Sequence, residues 1–269
     1  MPRLQASIAT LMIAGFSACM LAWPASAVTA VRKSVDHAPF TALLAEFVKP
    51  NKDGINRVDF AGMKSRGHDR LKAYLTTLEA ARPSAMSPAN RKAFWINLYN
   101  GKTLDIVLAR YPVASIRDIR LPGPDGKAAD GPWGAKVMTV ERAQLSLDEI
   151  EKKILGPEFK DVRIHYALNC LSIGCPNLLR EAFVGSRLDR QLDDAARAFV
   201  NHPRGITIKP GRVEASNIYE WYEAEFGGFK GVIAHLRRYA RQELRRQLAN
   251  VKKIDAYDYD WKLSDAGKP

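Results

Sequence analysis

The stretch from Ser87 to about Ala109 constrains the fold more than any other part of this chain. Ser87-Pro88 is a helix start: a side-chain oxygen able to accept from free first-turn amides, then proline at the first helical position. Behind it Phe94, Trp95, Ile96, Leu98, Tyr99, Leu104, Ile106, Val107 and Leu108 cover most of a helical circumference. A helix apolar nearly all round is buried, so other elements must wrap it. Yet Asn97, Gly101 and Asp105 fall four apart on one stripe, with Asn100 beside them. Buried amides need partners. The stripe therefore either bonds neighbouring loops and fixes the core, or faces a cleft.

The remaining elements read in order. Phe40, Leu43, Leu44, Phe47 and Val48 mark an amphipathic helix ended by Pro50, and Leu71, Tyr74, Leu75 and Leu78 mark another. Ile55 to Phe60 alternates as a short strand. Val113 to Leu121 is extended, Pro122 to Trp133 is a Gly/Pro-rich loop, and Lys136 to Val140 is a strand. Ser146 with Glu149 forms a capping box opening a helix through Leu155, which Gly156-Pro157 stops. Val162 to Leu168 is a strand, Asn177 to Phe183 a short helix, and Ser186 with Asp189 opens a further helix. Pro210-Gly211 joins a hairpin, Ser216 caps a helix, Val232 to Leu248 is a helix with a basic outer face, and Ile254 to Leu263 is a final strand. Helices outnumber strands without a regular βαβ rhythm. That predicts an α+β fold: one helix-rich domain with a small, mostly antiparallel sheet.

The first 27 residues stand apart. A short basic start, an apolar run from Ile8 to Trp23 and the small-residue site Pro24-Ala25-Ser26-Ala27 predict a secretory signal peptide over 1–27, with 28–269 as a single globular domain. Cys19 lies inside the apolar run, which continues past it and so argues against lipid attachment. No later segment approaches the roughly 20 apolar residues of a membrane span. The expected location is periplasmic or secreted. At 46% hydrophobic and 26% charged residues the composition is ordinary, but the formal net charge is +12, and the leader holds only Arg3 of it. A basic exported protein suits an anionic envelope polymer or membrane surface as partner, and nucleic acid is not expected. The arginines Arg237, Arg238, Arg241, Arg245 and Arg246 carry much of that charge.

Chemistry concentrates in Arg163 to Pro176, RIHYALNCLSIGCP, which holds both cysteines outside the leader. An oxidising compartment permits a structural Cys170–Cys175 disulfide, with Ile173-Gly174 as the joint. A reduced Cys170 would instead be a nucleophile needing a base, and His165 is the local one. Asn97, Asn100 or Asn169 would orient the imidazole. A redox pair is a third reading, although the spacing is not that of C-x-x-C. The five histidines lack metal-ligand spacing, and the phosphate-loop, nucleophile-elbow and zinc-helix motifs are missing, so no metal or cofactor is expected.

The segments AFWINLYNGKTLDIVLARYPVASIRDI, RIHYALNCLSIGCPNLLREAF and YDYDWKLS make the chain resemble the domain of unknown function 547 family, over about residues 39–264. The positions that carry the resemblance include Phe94, Trp95, Asn97, Tyr99, Asn100, His165, Asn169, Cys170, Cys175, Pro176, Ser216, Trp221 and Trp261. Gly101 and Leu171 depart from it, family members often carrying alanine there. The resemblance implies little about activity. A helix bearing tryptophan and asparagine beside a histidine is loosely similar to papain and transglutaminase architecture, but no cysteine starts the helix here.

Two functions follow as expectations. In one, a cleft between the Phe94–Leu108 helix and the His165 segment hydrolyses an amide or ester of the cell envelope. His165 is then the base, Cys170 the nucleophile, and Asn97 or Asn100 the orienter or oxyanion donor. In the other, the chain is a non-catalytic binding or scaffold module of the envelope, stapled by Cys170–Cys175.

Overall fold

The buried helix runs Pro88–Arg110 in the computed structural model, which describes Met1 and residues 34–123, 125–127 and 130–267. Ser87 accepts from the Asn90 amide at 3.4 Å, and Pro88 fills the first helical position. Phe94, Leu98, Leu104 and Leu108 are wholly buried. The helix His68–Glu79 packs on it and Ala38–Phe47 packs on His68–Glu79, adding Leu43, Phe47, Leu71 and Leu75 to one core. Gly101 sits against His68–Glu79: a β-carbon there would lie 3.0 Å from Leu75 Cδ2.

The fold is α+β and helix-rich. Among the described residues the β-structure is three small sheets instead of one. Val48–Lys49 pairs antiparallel with Arg57–Val58, and Met138–Val140 with Ala143–Leu145. The third sheet joins the antiparallel hairpin Ile206–Lys209 and Arg212–Ser216 to Ala256–Asp258, which runs parallel to Arg212–Ser216. A second core forms beside it from the helices Leu188–Val200 and Gly228–Tyr239, with Phe199, Tyr219, Val232 and Leu236 inside. Arg32–Pro269 is one compact unit. The expected leader, with Cys19, lies outside the described residues apart from Met1. Among the described residues no helix is long and apolar enough to cross a membrane.

Several local expectations are corrected. Val162–Tyr166 is a 3-10 turn, not a strand, because the Asp161 carboxylate accepts from the Arg163 amide at 3.0 Å and caps it. Asn177 to Phe183 is irregular: its polar groups bond outward, Asn177 Oδ1 accepting from the Asn56 amide (2.9 Å) and the Phe183 amide donating to Asn97 (2.9 Å). The expected Val232 to Leu248 helix is two helices, Gly228–Tyr239 and Gln242–Leu248. Asn201 makes the break, receiving the Arg241 amide at 2.6 Å and donating to the Tyr239 carbonyl at 2.9 Å. The capping box of Ser146 and Glu149 is present, but its helix passes through a π-helical segment, Ile150–Leu155, and Gly156–Phe159 continues it. Of the predicted final strand only Ala256–Asp258 pairs as a strand. Beyond it the backbone serves the cysteine loop, the Ile173 amide donating to Lys262 and the Gly174 amide to Asp260, both at 2.8 Å.

Candidate active site

Asp161 sets the first part of the site. Besides capping the turn, its carboxylate accepts from Arg163 Nε at 2.9 Å and pairs with the Lys92 ammonium. Burial alone would raise this carboxyl. The bonds from Arg163 and Lys92 reverse that and hold it well below the usual carboxylate range. The tight turn then aims the His165 ring inward.

His165 is buried between two carboxylates. Nε2 lies 3.0 Å from Glu225 Oε2, and Nδ1 lies 3.6 Å from Glu151 Oε1, too far for a hydrogen bond. One face of the ring stacks on Tyr222, with centroids 3.6 Å apart. The Tyr222 hydroxyl donates to Glu151 at 2.5 Å, fixing that carboxylate. Burial opposes charge on the imidazole, but Glu151 and Glu225 outweigh it, so His165 titrates above its ordinary value. Glu151 comes from the π-helical segment, a geometry found often at functional sites.

The cysteine loop is the second part. Asn100 of the buried helix donates to the Ala167 carbonyl and accepts from the Asn169 amide, both at 2.9 Å. Asn169 in turn donates to the Pro176 carbonyl (2.6 Å) and accepts from the Leu171 amide (2.7 Å). Leu171 is held at φ +64°, left-handed backbone that costs a non-glycine residue roughly 1–2 kcal/mol. Its carbonyl receives both the amide (2.8 Å) and the hydroxyl (3.0 Å) of Ser264, which help keep it there. Gly174 packs so tightly that a β-carbon would lie 2.9 Å from the Asp260 amide and from the Tyr259 ring.

This reversal places the Cys170 and Cys175 sulfurs 2.8 Å apart. The expected disulfide is not formed. The separation exceeds the roughly 2.05 Å of an S–S bond, and both cysteines are free thiols. The sulfurs are engaged otherwise: Cys170 Sγ meets the Tyr259 hydroxyl at 3.0 Å and the Ser172 hydroxyl at 3.4 Å, and Cys175 Sγ accepts from the Cys170 amide at 3.0 Å. Burial raises the Cys170 thiol, but hydrogen bonds from Cys175, Ser172 and Tyr259 bring it down to about 7. Burial and the neighbouring Cys170 push Cys175 well above the usual thiol range. The pair thus divides into one thiol ready to ionise and one that stays protonated.

Both parts open into one cavity of about 700 Å³. His165, Cys170, Cys175, Tyr99 and Glu151 line it, with aromatic walls from Trp133, Trp221, Tyr222, Tyr259 and Trp261. The Tyr259 and Trp261 rings are 4.6 Å apart and the Trp221 and Tyr259 rings 4.9 Å. Trp221 is 46% exposed, the most open large apolar side chain of the described fold beyond Met1. Arg117, paired with Asp130, and Lys152, paired with Asp148 at 2.7 Å, also line the cavity.

The structure therefore brings His165 and Cys170 to one cavity, although the hydrogen bonds of each go elsewhere. Asn97 and Asn100 do not reach it. Asn97 is wholly buried and clamps the Phe183 backbone on both sides, donating at 2.8 Å and accepting at 2.9 Å. Both sides of the Asn100 amide are likewise used on backbone. The polar stripe on the central helix fixes loops, and Asp105 bonds His68 at 2.8 Å. Residues missed in the sequence are Glu151, Glu225, Tyr222 and Tyr259. The alternation of Tyr257, Tyr259 and Trp261 was one usable signal, but nothing local links Glu225 to His165.

Residues 83–200 match the model of the family described as "Protein of unknown function, DUF547". The match contains the central helix, His165 and both cysteines. No curated protein and no solved structure matches the chain.

Proposed function

We propose that the chain is an exported thiol hydrolase of the cell envelope, cleaving an amide or ester with Cys170 as nucleophile. The observation that supports this most is the pairing, within one cavity, of a thiol drawn down to about 7 and an imidazole held between carboxylates. Cys170 thiolate attacks the substrate carbonyl, forming a tetrahedral oxyanion. His165, whose imidazolium form Glu151 and Glu225 favour, gives its proton to the leaving amine or alcohol. The neutral imidazole then takes a proton from water, which attacks the thioester and releases the acid. This casts His165 as acid first and base second. Asn97 and Asn100 are spent on backbone, so the oxyanion donor is the Tyr259 hydroxyl, released as the sulfur it serves bonds to the substrate carbonyl carbon. Burial keeps that hydroxyl protonated.

The test is hydrolysis of a panel of p-nitrophenyl esters and anilides by reduced protein. Wild type turns over at least one member, and Cys170→Ser and His165→Gln lose that turnover. Turnover that persists in folded Cys170→Ser removes the proposal.

The 2.8 Å approach of the sulfurs favours one second reading: oxidation closes the pair into a staple and the chain acts as a binding or scaffold module. Its docking face would be the exposed arginines Arg237, Arg238, Arg241, Arg245 and Arg246, facing an anionic envelope polymer or membrane surface. Val232, Leu236, Tyr239 and Leu248 of those helices are buried in the core, which leaves charge alone for the contact. Thiol titration of protein taken from the periplasm separates the readings: two blocked thiols support the staple.

A further inference from the structure

A second cavity, of about 500 Å³, shares no lining residue with the thiol cavity. Arg180, Arg190 and Arg204 line it, together with Asn177 and Phe199. Arg204 is the half-buried member. Its Nη1 donates to the Ile173 carbonyl at 3.0 Å and its Nη2 to Asn177 Oδ1 at 2.8 Å, while its carbon centre sits 5.5 Å from the Phe199 ring centroid. Its Nε is buried without a partner. Arg180 and Arg190 are exposed at the rim.

None of the three guanidiniums has a carboxylate within ion-pair distance among the described residues. The two acids that share the lining are already engaged. Glu181 takes Arg187 at 2.9 Å and Gln191 at 3.0 Å, and Asp194 takes Arg197 at 3.1 Å. The carboxylate nearest in charge effect, Asp53, is held by Arg57 at 2.7 Å. A guanidinium drawn out of water without a counter-charge is unfavourable, and burial accordingly lowers the Arg204 pKa to about 10. Elsewhere this chain pairs such groups: Arg163, similarly sheltered, meets Asp161, Asp189 and Asp193. The missing partner at Arg204 is thus an anion that the chain does not itself supply.

We propose that this second cavity binds the oxyanion group, phosphate or carboxylate, of a small molecule, with Arg204 at its floor and Arg180 and Arg190 at its rim. Guanidinium forks match the planar edge of either oxyanion, and the volume is that of a small-molecule pocket. The cavity is distinct from that of the thiols, although Arg204 also ties down the Ile173 carbonyl of the cysteine loop.

The test is calorimetric titration of the full chain with inorganic phosphate and, separately, acetate, at pH 7.5 and fixed ionic strength. Wild type binds about one equivalent of at least one anion saturably. Arg180→Gln combined with Arg190→Gln, both exposed, with the 3.0 Å bond from Arg180 to the Ala45 carbonyl also lost, weakens it about tenfold or more. Arg204→Met abolishes it, and Arg82→Gln, exposed and outside both cavities, leaves it unchanged. Phosphate without acetate assigns a phosphate ligand, and acetate a carboxylate. No saturable binding of either anion overturns the site. So does binding unchanged in the double rim variant, or weakened equally by Arg82→Gln, which reports only the overall charge.

Discussion

His165 Nε2 lies 3.0 Å from Glu225 Oε2, across 60 residues of sequence. That contact, with Glu151 on the other side of the ring, reverses what burial alone would do to the imidazole. Replacing Glu225 by Gln leaves a hydrogen-bonding group but removes the charge. The His165 pKa then falls, followed by NMR titration of the ring carbons. Because the folded value is raised, the stabilisation is fully present below the unfolded value near 6.5 and is lost as pH rises through the folded value. Urea unfolding at pH 6 and pH 9 therefore shows a larger gap between wild type and Glu225→Gln at pH 6.

Asp161 carries the opposite sign. Its carboxyl is depressed, so its contribution exists above the unfolded value near 3.9 and is lost as pH falls toward the folded one. Asp161→Asn keeps an acceptor for the Arg163 amide but leaves Lys92 and part of Arg163 without a counter-charge. The expected cost at pH 7 is about 2–4 kcal/mol, shrinking toward pH 2. Chemical denaturation across that range checks both the size and the trend.

Asn100→Ala strands the Ala167 carbonyl and the Asn169 amide inside the core. With each unpaired buried group costing about 1–3 kcal/mol, the variant should lose about 2–4 kcal/mol in urea unfolding. It should also slow alkylation of Cys170, because Asn169 no longer shapes the loop. Asn97→Ala should be similarly unstable, yet leave the Cys170 reaction rate of the folded fraction within about twofold, since its partner is Phe183.

Gly174→Ala pushes a methyl group against the Asp260 backbone and the Tyr259 ring. Overpacking of this kind costs about 1–3 kcal/mol. The telling readout is chemical: as Tyr259 moves off the sulfur, the Cys170 thiol loses a donor and titrates higher.

Much of the scaffold is legible locally. Ser87-Pro88 and the all-round apolar pattern define the central helix because both the start signal and the burial are written within 23 residues. The capping box of Ser146 and Glu149 and the Pro210-Gly211 hairpin are read the same way. The site is less legible because its bonds are long-range. Residues 162–168 alternate like a strand, but the Asp161 side chain turns them into 3-10 geometry. The central-helix asparagines are buried and polar, which the sequence allows equally for a cleft or for clamps. Only the positions of Ala167, Asn169 and Phe183 decide for clamps. The second carboxylate at His165 comes from the one-turn helix Glu223–Phe226, and no periodicity encodes that.

The most direct measurement is the pH dependence of Cys170 alkylation by iodoacetamide in folded protein, with labelled peptides quantified by mass spectrometry. The account predicts a rate that rises through an inflection near pH 7, on Cys170 alone, with Cys175 labelled only after unfolding. An inflection at or above the ordinary thiol value near 8.5, or preferential labelling of Cys175, would contradict it.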